Sequence, residues 1–99
     1  REKAYFAAMK SDLKNLASQQ EIYYSDYYAY TDVATDLGFV QSSGVTVTIQ
    51  NTSATGWAAS ATHQALDPTT DGCGIYYGSA TAPGGVATPT QPGEILCVP

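Results

Sequence analysis

Charged side chains are scarce in this sequence, and positive charge is confined to one part of it. Asp, Glu, Lys and Arg make up 13% of the 99 residues, and all four basic residues fall within the first fourteen positions. Residues 15–99 therefore carry seven carboxylates and no Lys or Arg. Because phosphate repels a region of that charge, we expect no nucleic-acid partner. A basic segment beside an acidic body either steers copies of one chain head to tail or simply keeps a helix face solvated.

The chain has one imidazole, which leaves little for catalysis. His63 is the only histidine, and a triad would need Ser60 together with Asp67 or Asp71. Ser60 lacks the GxSxG sequence of a nucleophile elbow, and residues three apart on a strand point to opposite faces. We therefore expect neither an enzyme nor a cofactor.

Metal ligands are also few. Asp67 and Asp71 bring oxygen donors close together before Gly72, which makes them weak candidates for calcium. The segment lacks the alternating acidic ligands and distal Glu of an EF-hand, and a polar turn held by side-chain hydrogen bonds is the alternative. We expect no bound metal.

Only two cysteines are present, and no apolar run reaches the length of 18 residues that a membrane-spanning helix needs. Cys73 and Cys97 enclose 23 residues rich in Gly, Pro, Ser and Thr. Such a loop buries little apolar surface, and a crosslink would stabilise it by about 3–4 kcal/mol. A disulfide is therefore expected, which implies an oxidising compartment; free thiols or a metal pair are the alternatives.

What the sequence does contain is a long helical pattern, since no Gly or Pro occurs before Gly38. Positions spaced by three and four predict one face of a helix over residues 1–28, about 40 Å long. That face consists of Phe6, Met9, Leu13, Leu16, Gln20, Tyr23 and Tyr27.

Such a helix is longer than a small sheet can cover, so its two parts are expected to differ in role. The first four apolar positions suit either partner helices or the domain's own sheet. We assign to the helix–sheet core Leu13, Leu16, Gln20, Tyr23 and, from the sheet, Trp57. We assign to an interface between subunits Arg1, Lys3, Tyr5, Phe6 and Met9.

Strand patterns fill the second half of the chain. Residues 29–44 read as a connection with an N-cap at Thr31–Asp32, and residues 45–78 read as an antiparallel meander because apolar and polar positions alternate. Residues 79–99 read as an irregular, solvent-facing loop and a returning C-terminal strand. The predicted fold is a single α+β domain, in which one long helix packs on three to four antiparallel strands.

The order of several segments resembles bacterial type IV pilins and the pseudopilins of type II secretion. The matching segments are residues 7–16 (AAMKSDLKNL), 20–24 (QEIYY), 30–31 (YT), 37–39 (LGF), 42–45 (SSGV), 56–63 (GWAASATH) and 73–78 (CGIYYG). The resemblance covers most of the chain, and it implies that Cys73 and Cys97 form the C-terminal disulfide of that family.

The resemblance also implies a function. A pilin-like chain is a structural subunit of a filament on the bacterial cell surface, facing the periplasm before assembly. Its partners are copies of itself and, through a hydrophobic half-helix, the assembly machinery and the inner membrane. The alternatives are a major pseudopilin, or a minor-pilin module that binds a surface or DNA at a filament tip.

One departure from the family is the missing hydrophobic half-helix, with its cleavage site and assembly glutamate, before Arg1. We expect this chain to be a truncated form of a longer protein. The alternative is that the hydrophobic part is a separate short polypeptide, as in split pilins.

Overall fold

The computed structural model describes residues 2–99, and its fold is α+β as predicted. Two helices precede four strands, which form one antiparallel sheet in the order β1-β2-β3-β4. The elements are α1 Glu2–Tyr27, α2 Ala34–Leu37, β1 Val45–Gln50, β2 Gly56–His63, β3 Gly72–Gly78 and β4 Leu96–Val98.

Helix α1 lies on the inner face of this sheet. Met9, Leu13 and Leu16 are fully buried, and their spacing of four and three places them on one side of the helix. Trp57 of β2 is buried beside them in the same apolar cluster. Fully burying an aliphatic side chain contributes about 1.5–3 kcal/mol, so this seam is the main attachment of the helix to the sheet.

Small residues at the centre of the sheet allow the helix to come close. Ala59 and Ala61 of β2 are fully or almost fully buried, and they pair with Ile75 and Cys73 of β3. Cys73 pairs in turn with Cys97 of β4, and the two sulfurs form a disulfide. The predicted disulfide is thereby confirmed.

Two buried polar side chains of α1 hold the connection between helix and sheet. Gln20, with no exposed surface, donates from Nε2 to the Thr31 carbonyl at 2.7 Å and accepts from the Thr31 N–H at 3.1 Å. Asp12 accepts hydrogen bonds from the Ser42 N–H and Oγ, each at 2.7 Å. These hydrogen bonds fix residues 31 and 42 to the helix and pair the buried polar groups of Gln20 and Asp12.

The disulfide loop also packs on the sheet, which the sequence pattern did not indicate. Three of its residues, Pro83, Ala87 and Pro89, are buried, so the loop covers the outer face of the sheet. Gly74 allows this approach, because a Cβ there would lie 2.9 Å from the Ala87 carbonyl oxygen. Gln50 fixes the loop by accepting from the Gly84 N–H at 3.0 Å.

The predicted N-cap at Thr31–Asp32 is wrong. The cap of α2 is Val33, whose side chain makes no capping hydrogen bond. Thr31 instead accepts from the Val33 N–H and donates to Asp36 through its hydroxyl. The short helix ends at Gly38, which adopts the left-handed conformation (φ 65°) that glycine tolerates.

Candidate interaction surfaces

The residues that resemble a catalytic triad are not brought together. The Ser60 hydroxyl accepts from Gln50 on the outer face of the sheet. The His63 ring lies on the inner face, where it packs against Tyr5 with ring centroids 4.4 Å apart. His63 Nδ1 accepts from the Ala65 N–H at 3.0 Å, which commits that nitrogen to the following turn. The arrangement orients no nucleophile.

The candidate calcium ligands are occupied by their own turn. Asp67 Oδ1 accepts from the Thr69 N–H and hydroxyl, and Asp71 Oδ1 accepts from the Thr70 hydroxyl. The hydrogen bonds from the Thr69 hydroxyl and backbone lower the pKa of the Asp67 carboxyl. Within residues 2–99, no three His, Cys, Asp or Glu side chains are grouped so as to hold a metal ion. Residues 67–71 therefore form the polar turn held by side-chain hydrogen bonds that was the alternative to a calcium site.

A cluster of tyrosines surrounds the C-terminal end of α1. The rings of Tyr24 and Tyr30 stack with centroids 4.9 Å apart. The Tyr28 ring meets Tyr24 edge to face, and the Tyr77 ring meets Tyr30 in the same way, each with centroids 6.3 Å apart. We call these residues, together with the adjacent pair Tyr23 and Tyr27, the aromatic end. Tyr27 and Tyr28 are 65% and 75% exposed. Large rings left in water are typical of surfaces that bind a partner.

The aromatic end is acidic. Exposed carboxylates accompany it at Glu21 and Asp26, and no basic residue lies in the last turn of α1. A carboxylate at a helix C-terminus is unfavourable because the helix dipole is negative there, so Asp26 does not serve the stability of the helix. The Tyr30 hydroxyl donates to Glu21 at 3.3 Å. Partial burial, followed by the Glu21 charge, raises the pKa of Tyr30 to about 12.

The opposite end of α1 is basic along one flank. Lys3, Lys10 and Lys14 are all exposed, and their spacing of seven and four places them on one stripe of the helix. We call these three residues the lysine flank. They are the only cations among residues 2–99.

A groove runs between the lysine flank and the edge strand β4. Its volume is about 810 Å³, and it exists because the short β4 leaves the first turns of α1 partly uncovered. The groove is lined by Glu2, Lys3, Phe6, Ala7, Lys10, Ile95, Leu96, Cys97 and Pro99. We call it the helix–strand groove. Most of its lining is apolar, and its charged side chains are the ammonium groups of Lys3 and Lys10 and the carboxylate of Glu2.

The residues predicted to form a subunit interface are divided by the structure. Lys3 is exposed, whereas Tyr5 and Phe6 are half-buried and Phe6 packs against the core cluster. Met9 is fully buried in its own domain, so its assignment to the interface is wrong. The reason is that the sheet covers α1 one to two turns nearer its start than expected. Arg1, also assigned to the interface, lies outside the described residues.

The predicted helix–sheet core residues lie together. Leu13, Leu16, Gln20 and Trp57 are fully or almost fully buried, and Tyr23 is half-buried against them. The helix–strand groove had no counterpart in the sequence, because it depends on the pairing of β4 with β3. The aromatic end was visible as a tyrosine run over residues 23–30, but its contact with Tyr77 was not.

Within residues 2–99, neither helix has the combination of length and apolar character that spanning a bilayer requires. No protein-family model and no curated protein matches this chain.

Proposed function

We propose that this chain is a structural subunit of an extracellular, type IV pilus-like filament. It assembles through its N-terminal helix and performs no catalysis. The observation that carries the proposal is the architecture. One 26-residue helix lies along a four-stranded antiparallel sheet whose C-terminal strand is fastened by a disulfide. This is the plan that the resemblance to pilins implies, and the Cys73–Cys97 bond suits an oxidising compartment.

The distribution of polarity along α1 supports the same function. The middle of the helix is attached to its own sheet through Met9, Leu13 and Leu16, while both ends keep exposed side chains of unlike chemistry. A subunit that packs against copies of itself needs surfaces that its own fold leaves open. In a longer protein, the hydrophobic half-helix expected before Arg1 would supply the contact with the inner membrane and the assembly machinery.

A gene deletion in the source bacterium tests the proposal. Antibodies raised against this chain should label surface filaments along their whole length by immunogold electron microscopy. Deleting the gene should remove the labelled filaments, and the gene supplied in trans should restore them. Filaments that carry no label and persist after the deletion would contradict the proposal.

One observation favours a second candidate, a minor-pilin-type binding module. The aromatic end is a compact exposed surface with adjacent carboxylates, as a binding site at a filament tip would need. The same immunogold images distinguish the two roles, because a tip module would be labelled only at filament ends. A pseudopilin of a secretion system would instead give short filaments whose loss abolishes protein export.

A further inference from the structure

We propose that the helix–strand groove of one copy receives the aromatic end of a second copy, so that subunits associate head to tail. This inference rests on the proposed filament function and names the two surfaces that meet. The groove offers an apolar floor with two ammonium groups, Lys3 and Lys10, against one carboxylate, Glu2. The aromatic end offers exposed rings beside the carboxylates of Glu21 and Asp26.

The groove is suited to a flat ring that carries an acidic neighbour. Phe6 and Ala7 line it from the helix, and Ile95 and Leu96 line it from the region of β4. Its volume of about 810 Å³ is large enough for side chains of the size of tyrosine. Lys3 and Lys10 stand within reach of a carboxylate beside such a ring and can also contact the ring face itself.

The aromatic end has features that its own fold does not need. Tyr28 ends the helix in the left-handed conformation (φ 56°), at a position where glycine or asparagine is more common than a large side chain. Its N–H still completes the helix by donating to the Tyr24 carbonyl at 2.8 Å, and its ring projects into solvent. Asp26 lies in the last turn of the helix, where the dipole disfavours a carboxylate. A large exposed ring and an unfavourable charge at one place favour a binding role.

The partner is a second copy because of charge and distance. The lysine flank holds all the cations of residues 2–99, and the aromatic end has carboxylates at Glu21 and Asp26 without any cation in the last helical turn. Phe6 and Tyr27 are separated by about 30 Å along a rigid helix, so one molecule cannot place its own aromatic end in its own groove. A contact between unlike surfaces of identical subunits leaves one of each surface free, and it therefore propagates as an open chain.

Exposed charge pairs are weak and screened by salt, so the contact alone should be weak. We expect this chain to be monomeric at micromolar concentration and to associate at about millimolar concentration in low salt. In a filament, contacts along the rest of the helix would add to it.

Charge reversal at both surfaces tests the pairing by sedimentation equilibrium of the purified chain. The variant Lys3→Glu/Lys10→Glu makes the groove rim acidic, and Glu21→Lys/Asp26→Lys makes the aromatic end basic. Each variant alone should associate about tenfold more weakly than the wild type in low salt, whereas an equimolar mixture of the two should recover association. The controls are single charge reversals away from both surfaces, and they should retain association: Lys14→Glu, on the same flank but outside the groove, and Asp67→Lys, in an exposed turn.

A second variant tests the ring rather than the charges. Tyr28→Gly removes the exposed ring and relieves the left-handed backbone, so the fold should keep its stability while association weakens. Circular dichroism confirms that each variant is folded.

If the wild-type chain does not associate at millimolar concentration, the pairing is overturned. Charge-reversed variants that associate as the wild type does, or a mixture that shows no recovery, would also overturn it. If the expected association is not seen but immunogold still labels filaments, the head-to-tail contact is refuted and the proposed function remains in place. Association of the expected kind without labelled filaments would refute the filament instead.

Discussion

The buried amide of Gln20 gives the sharpest prediction about stability. Gln20→Leu preserves the approximate size of the side chain and removes both hydrogen bonds to the Thr31 backbone. Thr31 is itself buried, so its N–H and carbonyl would lose their partners out of reach of most water. Each buried polar group left unpaired costs about 1–3 kcal/mol, and the added apolar surface offsets part of the sum. We expect a net loss of about 2–4 kcal/mol in the free energy of unfolding.

Urea unfolding measures this loss directly. Trp57 is the only tryptophan and is almost fully buried, so its fluorescence reports the opening of the helix–sheet core. The control is Gln19→Leu, a half-buried neighbour outside the hydrogen bonds to Thr31, which should change stability by less than about 0.5 kcal/mol. Gln20→Leu with wild-type stability would refute the reasoning, because it would mean that the two hydrogen bonds contribute nothing net.

Three further predictions concern the disulfide, two apolar residues of α1 and Tyr30. Mass measurement without reductant should show no alkylated cysteine, and Cys97→Ser should lower stability by about 2–5 kcal/mol; two alkylated thiols would disprove the bond. Leu16→Ala should cost about 2–5 kcal/mol, and Phe6→Ser, half-buried against the same cluster, should cost about 1–3 kcal/mol in urea unfolding. An unchanged midpoint for Phe6→Ser would mean that the first turns of α1 lie free of the sheet. Because its pKa rises from 10.0 to about 12, Tyr30 stabilises the fold below pH 10 and loses this contribution as the pH rises to 12. Alkaline unfolding of Tyr30→Phe should lack that loss, and a profile identical to that of the wild type would contradict it.

The helical spacing of apolar residues and the alternation of apolar and polar residues in strands were enough to predict most of the fold. The spacing of Met9, Leu13 and Leu16 specifies a helix face, and the alternation in β1 specifies a strand, because both signals depend only on near neighbours in the chain. Gln20 appeared as a polar exception on an apolar face. The structure explains it, since the side chain pairs with a backbone segment eleven residues further on.

The features that the sequence did not reveal depend on distant contacts. Asp12 is buried because Ser42, thirty residues away, supplies two donors to its carboxylate. The loop over residues 79–93 forms a second layer on the sheet because Gly74 leaves room for its backbone. No periodic sequence pattern predicts that a loop will cover a sheet. The helix–strand groove likewise requires the register of β4 against β3. Local propensity carries no information on such register, so the candidate surfaces emerge only from the assembled fold.

We propose that this chain builds a filament, and electron cryomicroscopy of filaments sheared from the source organism tests this most directly. We predict a helical map whose repeating density accommodates this fold, with α1 toward the filament axis and the sheet with its disulfide loop toward solvent. A map whose subunit cannot be traced with this sequence would contradict the claim, as would one in which α1 lies on the outer surface.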